Sequence, residues 1–377
     1  MALRIRRRER RGLRLWPVGF VLVLAFATAI IVAASAFYTG WDLLGAHGLK
    51  QERRLDSKTL FDLVKLSFGV VAGAGALVAL IVAYRRQRID EDGALREATR
   101  LHTERFTTAV GQLGDDSPAV RLGGVHALAG LADDAPTRGL RQTCIDVLCA
   151  YVRLPYAFVP DASGGNERNS SEVESARREY LAFREIRHTI IRLIRDHLRL
   201  AEDHPHSWQG HDFDFTDAVF DGGDFSKANF SGGTVTFVGS QFLHGVVSFS
   251  EARFSGARVD FIAANFSGVM TSFLHADFSG GAVTFMGSTF PGATMNFSLA
   301  RFAGGRVDFA LVELSADTTL SFNSAKFAGG VVDFKNTSVS VGRFFFQGAE
   351  GPPPRHLLPE DGSDLPVGLD VPDRWLP

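Results

Sequence analysis

The residues in this sequence that most resemble a metal site form a histidine-rich stretch near the middle of the chain. It contains His197, His204, His206 and His211 together with Asp196 and Asp203. Imidazole and carboxylate groups are common metal ligands, but their spacing here matches no standard zinc site, and a calcium loop would need denser oxygen ligands. We therefore favour a solvated connector between two structured regions over a metal centre.

The other residues that could take part in catalysis or ligand binding also lack the arrangement that these roles require. Cys144 and Cys149 lie five residues apart in a helical pattern, so their side chains point away from each other, which predicts reduced, buried thiols in a reducing compartment. Ser163-Gly164-Gly165 lacks the Lys and Ser or Thr of a phosphate-binding loop. No nucleophile elbow is recognisable. The sequence therefore predicts no catalytic, cofactor-binding or metal-binding residue, and a protein that is not an enzyme.

Two uncharged apolar segments, residues 15–38 and 66–84, are long enough to cross a bilayer as helices. Trp16 and Tyr38 lie at the ends of the first, where amphipathic rings favour the membrane interface. Ala34-Ser35-Ala36 resembles a signal-peptidase site, but the apolar run is longer than a signal core, so we favour an uncleaved anchor. Gly69 and Gly73 have the spacing of a helix-packing face, although small residues are also ordinary in membrane helices.

Positive charge flanks both segments on one side. It comes from Arg4, Arg6, Arg7, Arg8, Arg10, Arg11 and Arg14 before the first span, and from Arg85, Arg86 and Arg88 after the second. The connecting loop, residues 39–65, carries both signs of charge. The positive-inside rule then predicts a multi-pass protein of the cell membrane with both termini in the cytoplasm and residues 1–14 as a basic cytoplasmic tail. The arginines of this tail could also bind anionic membrane lipid, but the simpler interpretation is that they only set the topology.

Residues 85–205 have the pattern of a helical domain with a polar linker at 156–172. Apolar residues recur with helical period over 94–113, from Pro118 onward, from Thr137 onward and over 173–201. Short antiparallel helices of this kind resemble a HEAT-type pair. The last helix carries seven arginines interleaved with acids, which predicts a solvated, salt-bridged face in preference to contact with lipid headgroups or nucleic acid.

The strongest pattern in the chain is the spacing of phenylalanine over residues 211–348. The rings first recur every five residues and then alternately every seven and five, a rhythm that no helix can place on one stripe. We expect these residues to form the interior of a β-solenoid: Phe215, Phe220, Phe225, Phe230, Phe237, Phe242, Phe249, Phe254, Phe261, Phe266, Phe273, Phe278, Phe285, Phe290, Phe297, Phe302, Phe309, Phe322, Phe327 and Phe334.

The neighbours of these rings support a four-sided coil. A small residue or a β-branched or long apolar residue precedes most rings by two positions, as period-two packing on a strand requires. The units ANFSG at 264–268 and ADFSG at 276–280 resemble the pentapeptide-repeat family. The resemblance implies a right-handed, quadrilateral β-helix with the central Phe inside. The seven-residue steps depart from the family motif, and from them we infer an oblong coil of about 24 residues. The helical stretch 103–155 also resembles a module that precedes such repeats in bacterial membrane proteins.

These patterns together predict an α plus β-solenoid protein, in which acids around the first coil cap an exposed end and the Pro-rich residues 349–377 are disordered. We expect a non-catalytic membrane-anchored scaffold that presents its solenoid to an unidentified protein partner at the cytoplasmic membrane face. The alternative is a DNA mimic that binds a nucleic-acid enzyme of the topoisomerase type. The excess of acids in the repeat region is only mild, and a membrane tether suits that role poorly. The net charge of -2 gives no signal for nucleic-acid binding. Formation of a homo-oligomer is left open.

Overall fold

The computed structural model describes residues 18–43, 57–155, 170–338, 341–359 and 365–376. The chain divides into two compact units, residues 1–97 and 98–377. Helices come first along the chain and strands follow. The fold is a helical N-terminal region followed by a parallel β-solenoid of about six turns.

The first two helices are α1, Val18–Leu43, and α2, Ser57–Leu113. Within the described residues, one helix is long and apolar enough to cross a membrane, the part of α2 from Leu60 to Leu113, which contains the second predicted span. The first predicted span overlaps α1, but two membrane crossings are not confirmed. The seven N-terminal arginines lie outside the described residues, and Arg85, Arg86 and Arg88 follow the apolar part of α2. The multi-pass topology therefore stays a prediction.

Three further helices precede the solenoid: α3, Pro118–Asp133, α4, Arg138–Val152, and α5, Ser170–Arg199. Pro118 occupies the start of α3, where its missing N–H costs no hydrogen bond. The Thr137 hydroxyl caps α4 by accepting a hydrogen bond from the Leu140 N–H at 3.3 Å. Because α5 begins at Ser170, the predicted linker ends earlier than residue 172, and residues 156–169 lie outside the described part of the chain.

The solenoid has four sides, and each side is a parallel sheet. Sheet 1 contains β1 (Phe213–Asp214), β5 (Thr234–Thr236), β9 (Arg258–Asp260), β13 (Ala282–Thr284), β17 (Arg306–Asp308) and β21 (Val331–Asp333). Sheet 2 contains β2 (Val219–Phe220), β6 (Gln241–Phe242), β10 (Asn265–Phe266), β14 (Thr289–Phe290) and β18 (Glu313–Leu314).

Sheets 3 and 4 complete the coil. Sheet 3 contains β3 (Gly223–Asp224), β7 (Val246–Ser248), β11 (Met270–Ser272), β15 (Thr294–Asn296), β19 (Thr319–Ser321), β22 (Arg343–Phe345) and β23 (Leu369–Asp370). Sheet 4 contains β4 (Asn229–Phe230), β8 (Arg253–Phe254), β12 (Asp277–Phe278), β16 (Arg301–Phe302) and β20 (Lys326–Phe327).

The register of the sheets fixes the size of the coil. Val246 pairs with Met270 and Met270 pairs with Thr294, so one turn takes 24 residues. Beyond the first coil, strands of sheets 1 and 3 mostly have three residues, whereas those of sheets 2 and 4 have two. The two longer sides correspond to the seven-residue steps in the sequence. The predicted oblong coil is therefore confirmed, while its right-handedness stays a prediction.

The interior is built from phenylalanine rings that stack from coil to coil. All twenty rings named above are buried, none being more than 5% exposed. In the column that contains Phe237, Phe261 and Phe285, successive ring centroids lie 4.6 and 4.8 Å apart, with planes within 4° of parallel. Rings on the two long sides meet edge to face, as Phe237 and Phe249 do at 6.1 Å. Both geometries are favourable for aromatic pairs, because the ring quadrupoles are offset or perpendicular.

Buried hydroxyl groups fill the interior positions where a small residue is needed. The Ser240 hydroxyl donates to the Phe215 carbonyl at 2.6 Å, and that of Ser288 donates to the Phe261 carbonyl at 2.5 Å. Thr271 occupies a different type of interior position, and its buried hydroxyl has no hydrogen-bond partner in the structure. It occupies a position at which the adjacent coils carry Val247 and Met295.

At two corners of the coil, non-glycine residues adopt the left-handed backbone conformation. One corner carries Ala263 and Leu311 with φ of 54° and 60°, alternating with glycines such as Gly287 at 66°. The other carries Glu251 and Leu299, with φ of 58° and 60°. Glycine adopts this conformation without the steric cost that a β-carbon brings. The non-glycine residues at these corners are therefore held there by the sheets on either side.

The expected disorder of residues 349–377 is wrong for the part that the structure describes. β23 pairs with β22 and extends sheet 3. The Trp375 ring, buried, packs on Phe327 and Phe346 at centroid distances of 5.8 and 5.3 Å, and its Nε1 donates to the Gly351 carbonyl. Proline content suggested disorder, but a few apolar residues are enough here because the last turn of stacked rings offers them a complementary surface.

We predict that Thr271→Val stabilises the solenoid. The change removes a buried unpaired hydroxyl and keeps the side-chain shape, so the free energy of unfolding should rise by about 1–2 kcal/mol. Chemical denaturation of the full chain in detergent measures the change. Ser240→Ala is the matched control, because it breaks a satisfied buried hydrogen bond and should lower the free energy of unfolding. A Thr271→Val variant that unfolds more readily than wild type would contradict the assignment.

Candidate interaction surfaces

Two of the acids of the first coil, Asp221 and Asp224, contact helix α5. The buried carboxylate of Asp221 accepts hydrogen bonds from the Tyr180 hydroxyl at 3.0 Å and from Arg184 Nε at 2.8 Å. His188 Nε2 lies 3.0 Å from the other oxygen. The prediction of an exposed, acid-capped end is therefore wrong for these two carboxylates, which are bonded to α5, whereas other acids of the first coil are exposed.

The arginines of α5 are correspondingly part of an internal interface. Arg187 is buried and donates to the carbonyls of Val152 and Val219, joining α4 to the solenoid. Arg195 donates to Asp224, and Arg199 Nε donates to the Ser226 carbonyl at 2.8 Å. The prediction of a solvated face is wrong for these residues. The alternation of charge along α5 predicts ion pairs. It does not show that the paired groups belong to the first coil of the solenoid, which is distant from α5 only in the sequence.

Part of the histidine-rich stretch is a packed junction, because His197 and His211 are at least partly buried. Residues 201–206 are exposed, as expected of a solvated connector. Asp133, the last residue of α3, accepts a hydrogen bond from Trp208 Nε1 at 3.0 Å, and its other oxygen lies 3.1 Å from His197 Nε2. The His197 ring stacks on Trp208 with centroids 4.1 Å apart. Among the described residues no group of three or more His, Cys, Asp or Glu is arranged to hold a metal ion.

The two nitrogens of His197 both face acceptors, because Nδ1 lies 2.7 Å from the Leu193 carbonyl. Burial alone would lower the pKa of His197, but the hydrogen bonds to Asp133 and Leu193 raise it above its usual value near 6.5. Burial would raise the pKa of Asp133, yet the hydrogen bonds from His197 and Trp208 lower it. An imidazolium–carboxylate pair therefore joins α3, α5 and the chain entering the solenoid.

Both cysteines are buried and free. Burial raises the pKa of Cys144 to about 11 and raises that of Cys149 further. Since the thiolate is the reactive form, neither residue is placed to act as a nucleophile at neutral pH.

The outward positions of each sheet repeat once per coil, so every side of the solenoid has its own chemistry. Face 1, the outer side of sheet 1, carries a column that includes Asp214, Asp260, Asp308 and Asp333. Each of these carboxylates is paired, with Arg153, Arg258, Arg306, and both Arg306 and His356, respectively. The column is therefore a series of ion pairs and not a continuous negative stripe.

Face 2, the outer side of sheet 2, is polar and mostly uncharged. Gln241, Asn265, Thr289 and Glu313 point outward in register. The Thr289 hydroxyl donates to Asn265 Oδ1 at 3.2 Å, which links adjacent coils through their side chains.

Face 3, the outer side of sheet 3, is free of charge over four coils. Its three columns contain Val246, Met270, Thr294 and Thr319; Ser248, Ser272, Asn296 and Ser321; and Ser250, Leu274, Ser298 and Asn323. Hydroxyl groups bond along the face, as between Ser250 and Ser272 at 2.9 Å. Val246 and Met270 are about half exposed. Face 3 therefore combines a polar area, whose hydroxyl groups hydrogen-bond to one another, with exposed apolar side chains at one margin.

Face 4, the outer side of sheet 4, carries charges of both signs. Arg253, Asp277, Arg301 and Lys326 occupy successive coils, and Glu350 follows in register with Lys326. Arg301 lies 3.8 Å from Asp277, and Lys326 lies 3.2 Å from Glu350.

The periodic phenylalanines predict which residues face the interior, but they do not predict the composition of the four outer faces, because outward residues need not repeat. Some outward residues nevertheless recur at an interval of two coils. Arg-Val-Asp-Phe occurs at 258–261 and again at 306–309, two coils apart, and Arg253 and Arg301 are separated by the same interval. Counting outward positions at the coil length would have grouped them into columns.

We predict that the His197 junction makes stability depend on pH. The folded pKa is raised, so protonated His197 contributes fully below about pH 6.5, and its contribution is lost as pH rises through the folded value. Denaturation midpoints between pH 6 and 8 should fall with pH in wild type and much less in His197→Gln. His204→Gln, at an exposed position of the same connecting stretch, should keep the wild-type slope. Equal slopes in His197→Gln and wild type would refute this role.

A scan against models of known protein families finds no match to this chain, and a search of curated proteins finds no relative.

Proposed function

We propose that this protein is a non-catalytic, membrane-anchored scaffold of the pentapeptide-repeat type. In this proposal the apolar helices hold the chain in the cell membrane with both termini in the cytoplasm, and the solenoid serves as a docking surface for a protein partner. The observation that carries the proposal is face 3, which is uncharged and polar and has exposed apolar side chains at one margin. Repeat solenoids bind partners through extended surfaces of this kind without changing conformation.

The composition of face 3 supports protein docking. The buried centres of protein interfaces are depleted in charge and enriched in Met and aromatic residues. Face 3 places Met270 and Val246 at one margin, and Phe345, in register with Ser321, extends the face towards the C-terminal end. Its hydroxyl and amide groups can bond to a partner's polar groups in place of water, so their burial would not leave isolated charges unpaired.

The DNA-mimic alternative finds less support. A mimic of duplex DNA needs a continuous line of unpaired negative charge, since phosphate recognition is dominated by the basic residues of the partner. On face 1 the carboxylates are paired with cationic side chains, and face 4 carries charges of both signs. The patchwork of charge favours docking of a protein over mimicry of a nucleic acid.

We expect charge placed on face 3 to disrupt partner binding. Ser272→Arg combined with Asn296→Arg adds two cations at outward positions of neighbouring coils, and equivalent positions of sheet 4 already carry arginine. Crosslinking the full chain in its native membrane, followed by identification of the proteins that copurify, should show at least a tenfold loss of the partner.

The matched control is Asn265→Arg combined with Thr289→Arg, which adds the same charge to the same two coils on face 2. Under the proposal this variant retains the partner. Equal recovery with the face 3 and wild-type proteins, or equal loss with both double variants, would refute face 3 as the docking surface.

A further inference from the structure

Face 4 carries one charged side chain per coil over five successive coils. In chain order the signs are positive, negative, positive, positive and negative, at Arg253, Asp277, Arg301, Lys326 and Glu350. All of these side chains are at least partly exposed. The order of these charges can therefore be tested for complementarity with the same column on a second copy of the chain.

The column is complementary to itself when a second copy runs antiparallel. With a twofold axis at the level of Arg301, Arg253 lies opposite Glu350 of the other copy and Asp277 lies opposite Lys326. Four oppositely charged pairs form, and only Arg301 meets its own counterpart. A shift of one coil gives only like pairs in one direction, and two like and two opposite pairs in the other. A parallel arrangement in register opposes like charges throughout, and a parallel arrangement shifted by one coil gives three opposite pairs and one like pair. Like charges across an interface are costly, so this register is selected.

The pairs that already exist within one chain do not prevent this arrangement. The Arg301–Asp277 and Lys326–Glu350 pairs are exposed, and exposed pairs contribute little to stability. Arg253 makes no ion pair within the described part of the chain. The two central arginines would each lie beside an Asp277 carboxylate, which offsets their mutual repulsion.

The surroundings of the column also permit close approach. On one side lie small corner residues, Ser255, Ser279, Ala303 and Ala328. On the other side lies Leu299, which is 44% exposed and held at a φ of 60°. Leu299 is two residues before Arg301, at the level of the proposed axis. In an antiparallel pair this exposed leucine would pack against its own counterpart, which removes apolar surface from water.

We propose that face 4 binds a second copy of this chain, antiparallel, about a twofold axis at Arg301 and Leu299. Such an interface is isologous, because both copies contribute the same residues. Five coils span about 24 Å at roughly 4.8 Å each, so the surface is small and the association weak. Self-association through face 4 is separate from partner docking on face 3.

The test is a cysteine crosslink at the proposed axis in purified full-length protein in detergent. Leu299→Cys should give a disulfide-linked dimer under mild oxidation, because the two introduced thiols meet across the axis. The native Cys144 and Cys149 are fully buried and contribute no background. Leu311→Cys is the matched control, since Leu311 has the same φ and is 53% exposed at the opposite corner. The control should remain monomeric; equal dimer yields would overturn the proposal.

Charge reversal then tests the register. In the Leu299→Cys background, Arg253→Glu places like charges opposite Glu350 and should reduce the dimer yield at least fivefold. Adding Glu350→Arg restores opposite charges and should return the yield to its starting level. A double reversal that stays as low as the single one would overturn the antiparallel register, provided that circular dichroism shows the variant to be folded. Because no partner protein is present, neither result bears on the docking proposed for face 3.

Discussion

The structure depends on the match between two distances: the rise from one coil to the next and the separation at which aromatic rings stack. Parallel strands lie about 4.8 Å apart, and the ring centroids of successive coils in the solenoid interior lie between 4.5 and 5.1 Å apart. Each ring is therefore packed above and below by equivalent rings while its backbone completes the sheet hydrogen bonds. The five- and seven-residue steps place one ring on each side of most turns, with Leu314 in place of a ring in sheet 2.

This constraint explains where the chain tolerates irregularity. One extra residue enters after β18, so that Thr294 pairs with Thr319, 25 positions later. The insertion lies at a corner, where the Thr318 hydroxyl bonds to the Phe290 carbonyl and the rings of the next coil return to register. An insertion within a strand would instead reverse which side chains face the interior.

Interior periodicity made much of the fold predictable from the sequence. The spacing of the phenylalanines predicted the solenoid and its oblong coil, and Pro118 and Thr137 marked two helix starts. The predictions for Asp221, Arg187 and His197 failed because local charge patterns do not reveal partners that are distant along the chain. The packing of Trp375 was not predicted, because the high proline content of residues 349–377 indicated disorder and a single aromatic residue did not change that prediction. The docking faces could not be inferred from the inward pattern, since it leaves the outward positions free to vary.

Closure of both ends bears on how this molecule avoids fibre formation. A stack of parallel strands exposes unpaired backbone groups at its first and last turns, and such edges can template the addition of further chains. Here α4 and α5 pack against the first turn. At the other end β23 and the backbone bridge between Asp333 and Arg355 occupy edges of sheets 3 and 1. Because both ends are covered, this regular solenoid can remain a single molecule and not grow into a fibre, while its outer faces stay available to bind partners.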